Sequence, residues 1–207
     1  MRKYLTLLLA ISLIALAACE QETPDTEEPP AEEEPAEEVP EPDEDEPEEA
    51  AEDPRQQQAM AAIFDLRDTL MGRVMEVATE ESYEAAVHVC RDEAIPLTEE
   101  AAQRHDVELG RTSDRLRNQD NTAPDWFDEL ADQATEGPHF AEGPAGELRG
   151  VAPIRLAEAC ANCHGTEDQL ADGVAEALDA HYPEDQATGY EPGDLRGFFW
   201  VEVAADQ

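Results

Sequence analysis

The stretch "GDLRGFFWVEV", Gly193–Val203, decides the fold. Phe199, Val201 and Val203 alternate with Phe198, Trp200 and Glu202. A period of two in aromatic and β-branched residues is the pattern of a strand. Upstream, Gly137–Arg155 places glycine and proline punctuation around short β-like pieces such as "GELRGVAPIR". The earlier chain reads differently. Met60, Ile63, Phe64, Leu66, Leu70, Met71, Val74 and Val77 recur at helical spacing, which predicts a helix over Met60–Val77. A second helical segment follows from Ser82 to His105, with a bend or break expected at Pro96. "RNQDNTAP" (Arg117–Pro124) reads as loop, Pro124–Ala134 as a short helix and Glu167–Tyr182 as helical. Helices first and a small sheet after them predict an α+β domain.

Two segments precede that domain. Residues 1–18, with Arg2 and Lys3 ahead of an apolar run from Leu5 to Leu16, have the length of a signal peptide, too short for a comfortable membrane span. "LAAC" resembles the lipobox of bacterial lipoproteins, which implies cleavage before Cys19 and lipid on that cysteine. The alternative is an ordinary secretory signal with Cys19 merely near the cut. Residues 19–54 continue as a run of Glu, Asp, Pro and Ala with no basic residue. Such a run repels itself and has nothing to bury, so it reads as a disordered tether with a reach on the order of 100 Å. Residues 55–207 are then the folded domain. Glu20, rather than Asp, follows Cys19 and favours an outer-membrane anchor facing the periplasm.

The formal charge of −39 argues against nucleic acid, whose phosphates would be repelled. Lys3 is the only lysine, so the mature chain takes every fixed positive charge from arginine. Adaptation of an exported surface to high salt is the plain reading of this charge.

The chemistry lies in "EACANCHG", Glu158–Gly165. A CxxC pair followed at once by histidine has the spacing of c-type haem attachment. Cys160 and Cys163 would form thioethers to the two vinyl groups, and His164 would be the proximal iron ligand. Zinc needs about four ligands, and no second cysteine pair supplies them. A redox dithiol would leave His164 incidental.

Of the four cysteines, Cys90 is left without a partner in an oxidising compartment. On a helix it shares an apolar face with Ala86, Val87, Ala94 and Leu97, while His88 points outward. Cys90 is therefore expected inside, as a small buried hydrophobe or as a thiolate facing the iron. His105, His139 and His181 read as surface histidines. Met60, Met71 and Met75 read as core along the first helix.

Four separated blocks carry a resemblance: "AAVHVCRDEAIPL", "GRTSDRLRNQDNTAPDWF", "ELRGVAPIRLAEACANCHG" and "YPEDQATGYEPGDLRGFFWVEV". Together they resemble the single-haem, PAS-like c-type cytochromes first described from cyanobacteria, from about Ala61 to Val203. Gln119 departs from that family, which usually carries proline there. The resemblance implies a helix-flanked PAS-like antiparallel sheet and one covalent haem c. It implies His164 as proximal ligand and Cys90 as distal thiolate. Arg111 and Arg117, in "GRTSDRLR" with Arg115, are candidates for the haem propionates. Salt bridges to this chain's many carboxylates are the alternative. Tyr190, Gly193 and Asp194 are assigned to a structural turn.

These readings point to an exported, lipid-anchored c-type cytochrome in low-potential electron transfer or redox sensing, with an unknown redox or signalling protein as partner. The alternatives are a haem-based sensor of CO or NO acting through a separate partner, and a dithiol redox protein if no haem is bound. No output domain is expected after the last strand, so any signal would need a separate partner. An enzyme such as a peroxidase is not expected, because no distal acid–base set is visible.

Overall fold

Asp53 and Pro54 open the longest element. The computed structural model describes residues 53–205, and in it helix α1 spans Pro54–Glu80. The Asp53 carboxylate accepts a hydrogen bond from the Arg55 backbone N–H at 2.9 Å, and proline occupies the first turn, where its missing N–H costs nothing. The expected signal peptide, Cys19 and the acidic tether up to residue 52 lie outside the described residues.

Helix α2 (Tyr83–His88) is capped by the Ser82 hydroxyl, which accepts from the Ala85 N–H at 3.0 Å. It runs into a π-helical turn (Val89–Glu93) and then α3 (Ala94–His105). The irregularity expected at Pro96 therefore falls one turn earlier. A proline ring crowds the carbonyl four residues before it, here Asp92, and the chain relieves this by widening the turn ahead of the proline. Ala94 accordingly donates its N–H to the Val89 carbonyl, five residues back. Asp106, left-handed at φ 52°, ends α3 and turns the chain into β1 (Glu108–Thr112).

The remaining elements are α4 (Phe127–Ala131), β2 (His139–Glu142), β3 (Leu148–Arg155), a 3-10 turn (Glu158–Cys160) leading into α5 (Ala161–His164), α6 (Val174–His181) and β4 (Leu195–Val203). The four strands form one antiparallel sheet in the order β1-β4-β3-β2, the helix-flanked open sheet of a PAS-like α+β fold. Two expectations need correction. The helix expected over Glu167–Tyr182 begins only at Val174, because residues 167–172 are turns and Gly173 takes φ 79°. Strand β1 escaped the sequence reading because Gly110 interrupts any alternation.

The alternation in β4 holds. Phe199, Val201 and Val203 pack with Leu109, Leu148 and Ala152 against Ala59, Ala62, Ile63 and Leu66 of α1. Phe198 and Trp200 turn to the other face, against Trp126, Phe127 and Leu130. Each large aliphatic side chain buried on the α1 face contributes about 1.5–3 kcal/mol, so that face carries the main core.

Trp200 lies across Gly110, where a Cβ would come within 2.3 Å of the indole, and its Nε1 donates to the Thr122 carbonyl at 3.2 Å. Gly110→Ala is expected to destabilise the protein by about 1–3 kcal/mol through overpacking, read as a lower denaturant midpoint. An unchanged midpoint would mean that the indole moves freely.

Candidate functional site

The ends of three strands together with α1, α2, the π turn and α5 line a cavity of about 360 Å3. Its floor is the end of the sheet: Arg111–Ser113 of β1 and its exit, Pro153–Arg155 of β3, and Arg196 and Gly197 of β4. The β3–β4 register slips between Ile154 and Arg155, a bulge at the rim of the cavity. Leu70, Met71, Val74 and Met75 of α1 line another side. Met71, expected in the core, is 36 % exposed, and both it and Met75 face this cavity. Met60 packs against the main core as expected.

Cys90, Cys160, Cys163 and His164 all line this one cavity. Cys90 arrives there because of the π turn. Tyr83, Ala86, Val87 and Cys90 line the cavity, whereas Ala94 and Leu97 join the core under α1. A regular helix would have kept all of these on one face, as the sequence reading had them. The extra residue in the turn divides the face in two. His88 is exposed, as expected.

A strap between α6 and β4 fixes His164 from behind. The Tyr190 N–H donates to the His164 carbonyl at 3.0 Å, and the Gly189 N–H donates to the Gly165 carbonyl at 2.7 Å. The His164 Nδ1 lies 2.7 Å from the Ala187 carbonyl, which can only accept, so Nδ1 carries the proton and Nε2 keeps its lone pair. The Arg196 Nε, 3.3 Å from the same Nδ1, then faces a second donor and makes no bond to it. Burial holds the His164 pKa well below its ordinary value, helped by Arg117 and Arg196. The imidazole is therefore neutral at pH 7, the form that binds a metal.

The thiols differ from those of a redox dithiol. Burial pushes Cys163 up to about 11, far from the lowered range of reactive thiols. Burial also raises Cys90, opposed by Arg117, Arg111 and Arg196, whose positive charges favour its thiolate.

The arginines of "GRTSDRLR" divide their work. Arg115 donates to the Gln186 carbonyl at 2.9 Å and to the Thr188 carbonyl, and its guanidinium lies 4.1 Å over the Tyr190 ring. Arg117 pairs with Asp185 at 3.2 Å and donates to the Cys163 carbonyl at 2.7 Å. Both arginines thus bind the strap. Arg111 makes no hydrogen bond or ion pair among the described residues, although its Nε is buried. Arg196 was not singled out from the sequence. An arginine inside an otherwise apolar strand, "GDLRGFFWVEV", was the available signal. Gly193, at φ 95°, and Asp194, whose carboxylate accepts from the Glu191 N–H at 2.8 Å, form the expected turn.

The other histidines lie elsewhere. His105 contacts Asp65 at 3.0 Å, His139 sits in β2, and His181 meets the His88 ring edge-on at 4.6 Å. Among the described residues only His164 lines the cavity.

No curated protein matches the chain. The crystal structure of the cyanobacterial haem protein Tll0287 superposes with a TM-score of 0.51 at 17% identity, over 75% of this chain and 98% of that one. At that identity the match establishes the shared fold. The family model described as Tll0287-like matches residues 40–204, beginning within the acidic run and ending past the last strand. The chain belongs to the Tll0287-like family.

Proposed function

We propose that this protein is an exported c-type haem protein that transfers or senses single electrons at low potential. One observation carries the reading: Cys160, Cys163, His164 and the distant Cys90 converge on one cavity that also holds unpaired buried arginine. The donor set fits haem c. Cys160 and Cys163 would hold it covalently, with His164 and Cys90 as iron ligands and arginine beside its carboxylates. Bound there, haem supplies an iron that cycles between ferric and ferrous.

The chain's own residues set the conditions for that cycle. The Ala187 carbonyl orients the His164 ring and strengthens its Nε2 as a donor. Cys90 must lose its proton to serve as a ligand, and three arginines offset the cost of a buried thiolate. A thiolate favours the ferric state, so the potential is low. Among the described residues the cavity lining includes no carboxylate and no second histidine, which favours a carrier or redox sensor over a peroxidase-type enzyme. The "LAAC" stretch and the acidic run support a lipid anchor on Cys19, on the outer membrane facing the periplasm, with a redox or signalling protein as partner.

The test is expression of the full chain in a host that attaches c-type haem. Haem is expected to migrate with the polypeptide on a denaturing gel, and Cys160→Ser/Cys163→Ser is expected to abolish that signal. Haem-free wild-type chain from such a host would sink the proposal and return attention to a dithiol role.

A further inference from the structure

The charge inside the cavity runs against the charge of the whole chain. The chain carries 52 acidic residues against 13 lysines and arginines, yet among the described residues the cavity lining contains arginines and not one aspartate or glutamate. Two of those arginines are spent at the rim. Arg67 pairs with Asp68 at 2.7 Å, and Arg155 binds the Thr135 carbonyl and lies 3.4 Å from Glu136. Arg117 is neutralised by Asp185 at 3.2 Å. Arg111 and Arg196 remain. Neither forms an ion pair among the described residues, and burial lowers the pKa of both.

Arg111 leaves its buried Nε without a partner. Arg196 spends Nη1 on the Arg115 carbonyl at 3.3 Å, faces the protonated His164 nitrogen with Nε, and has Nη2 uncommitted. A buried guanidinium nitrogen without a partner is costly, and Arg111, together with the half-buried Arg196, leaves two positive charges in this cavity with no anion among the described residues. Carboxylates are abundant in this chain, so their absence from the lining leaves room for a ligand that brings its own. Guanidinium is also the group best shaped to hold a carboxylate.

We propose that Arg111 and Arg196 together hold the two carboxylates of a dianionic ligand, and that Arg117 is a structural residue with no part in this contact. The assignment rests on the haem reading, in which the two carboxylates are the propionates. It names Arg196 as a binding residue and removes Arg117 from that role.

Resonance Raman spectra of the full, haem-bearing protein test it, because propionate bending bands shift when a propionate loses a hydrogen-bond donor. Arg111→Leu and Arg196→Leu are each expected to shift a propionate band, and the double variant to shift both. Arg117→Lys, which keeps the charge that pairs with Asp185, is expected to leave the bands in place. Arg111→Lys and Arg196→Lys, which keep the charge, are expected to restore them in part, and they answer the question if a leucine variant fails to fold. Bands unmoved in folded Arg111 and Arg196 variants, or moved only by Arg117→Lys, would overturn the assignment while leaving the haem reading intact. A wild-type chain without covalent haem would instead overturn that reading itself.

Discussion

Cys90→Ser in the full, haem-bearing chain is expected to retain covalent haem and to lose the thiolate-type low-spin signal in the ferric electron paramagnetic resonance spectrum. The substitution is nearly isosteric, and Cys160 and Cys163, proposed to hold the haem, lie in a different segment, so attachment should survive. The charge at the site does not survive. Cys90 reaches the cavity from the π turn, surrounded by the fields of Arg117, Arg111 and Arg196, which favour an anion there. A serine hydroxyl stays protonated and is a poor iron ligand. Loss of the anion removes the preference for ferric iron, so the reduction potential should rise. A shift on the order of 0.1 V would be a modest part of the roughly 0.8 V that axial ligation spans. A ferric spectrum unchanged in Cys90→Ser would make Cys90 a packing residue and leave the second axial position to another group.

The strand alternation of Phe198–Val203 and the apolar spacing of α1 were legible in the sequence because both reflect one face meeting the core. Each residue's face there is set largely by periodicity. The CxxCH triplet was legible because its three groups act through local spacing. Cys90 was read as inward-facing, and that was right, but the reason differed. The sequence placed it on the stripe of Ala94 and Leu97, while the π turn sends those residues to the core and Cys90 to the cavity. A one-residue widening of a helix has no periodic signature, since it arises from the crowding of Pro96 against the turn before it. Arg196 offered a signal, an arginine in a mostly apolar strand, but its role was illegible for a different reason. Its role depends on how the charges of distant segments sum inside one cavity. Arg111 and Arg117 look alike in "GRTSDRLR", and only the position of Asp185, far along the chain, tells them apart.

That distinction has a large energetic consequence. Arg117→Leu is expected to cost about 3–5 kcal/mol, the usual loss when one partner of a buried pair is removed and the other charge is stranded. The side chains of Arg117 and Asp185 are only 6% and 10% exposed, so water cannot replace the lost partner. Arg117 also donates to the Cys163 carbonyl at 2.7 Å and to the Ala187 carbonyl at 3.3 Å, which ties the CxxCH segment to the strap that orients His164. In a domain of this size the loss corresponds to a fall of roughly 10 °C in unfolding temperature. Asp185→Leu should fall by a comparable amount, since Asp185 also accepts from the Ala187 N–H at 2.9 Å. The double variant carries the decisive sign. With both charges gone no stranded ion remains, so Arg117→Leu/Asp185→Leu should be clearly more stable than the sum of the single losses predicts. Strictly additive losses would show that the two side chains do not act as a pair. Arg117 would then be available to an anion in the cavity, and its exclusion from the carboxylate contact would fail with it.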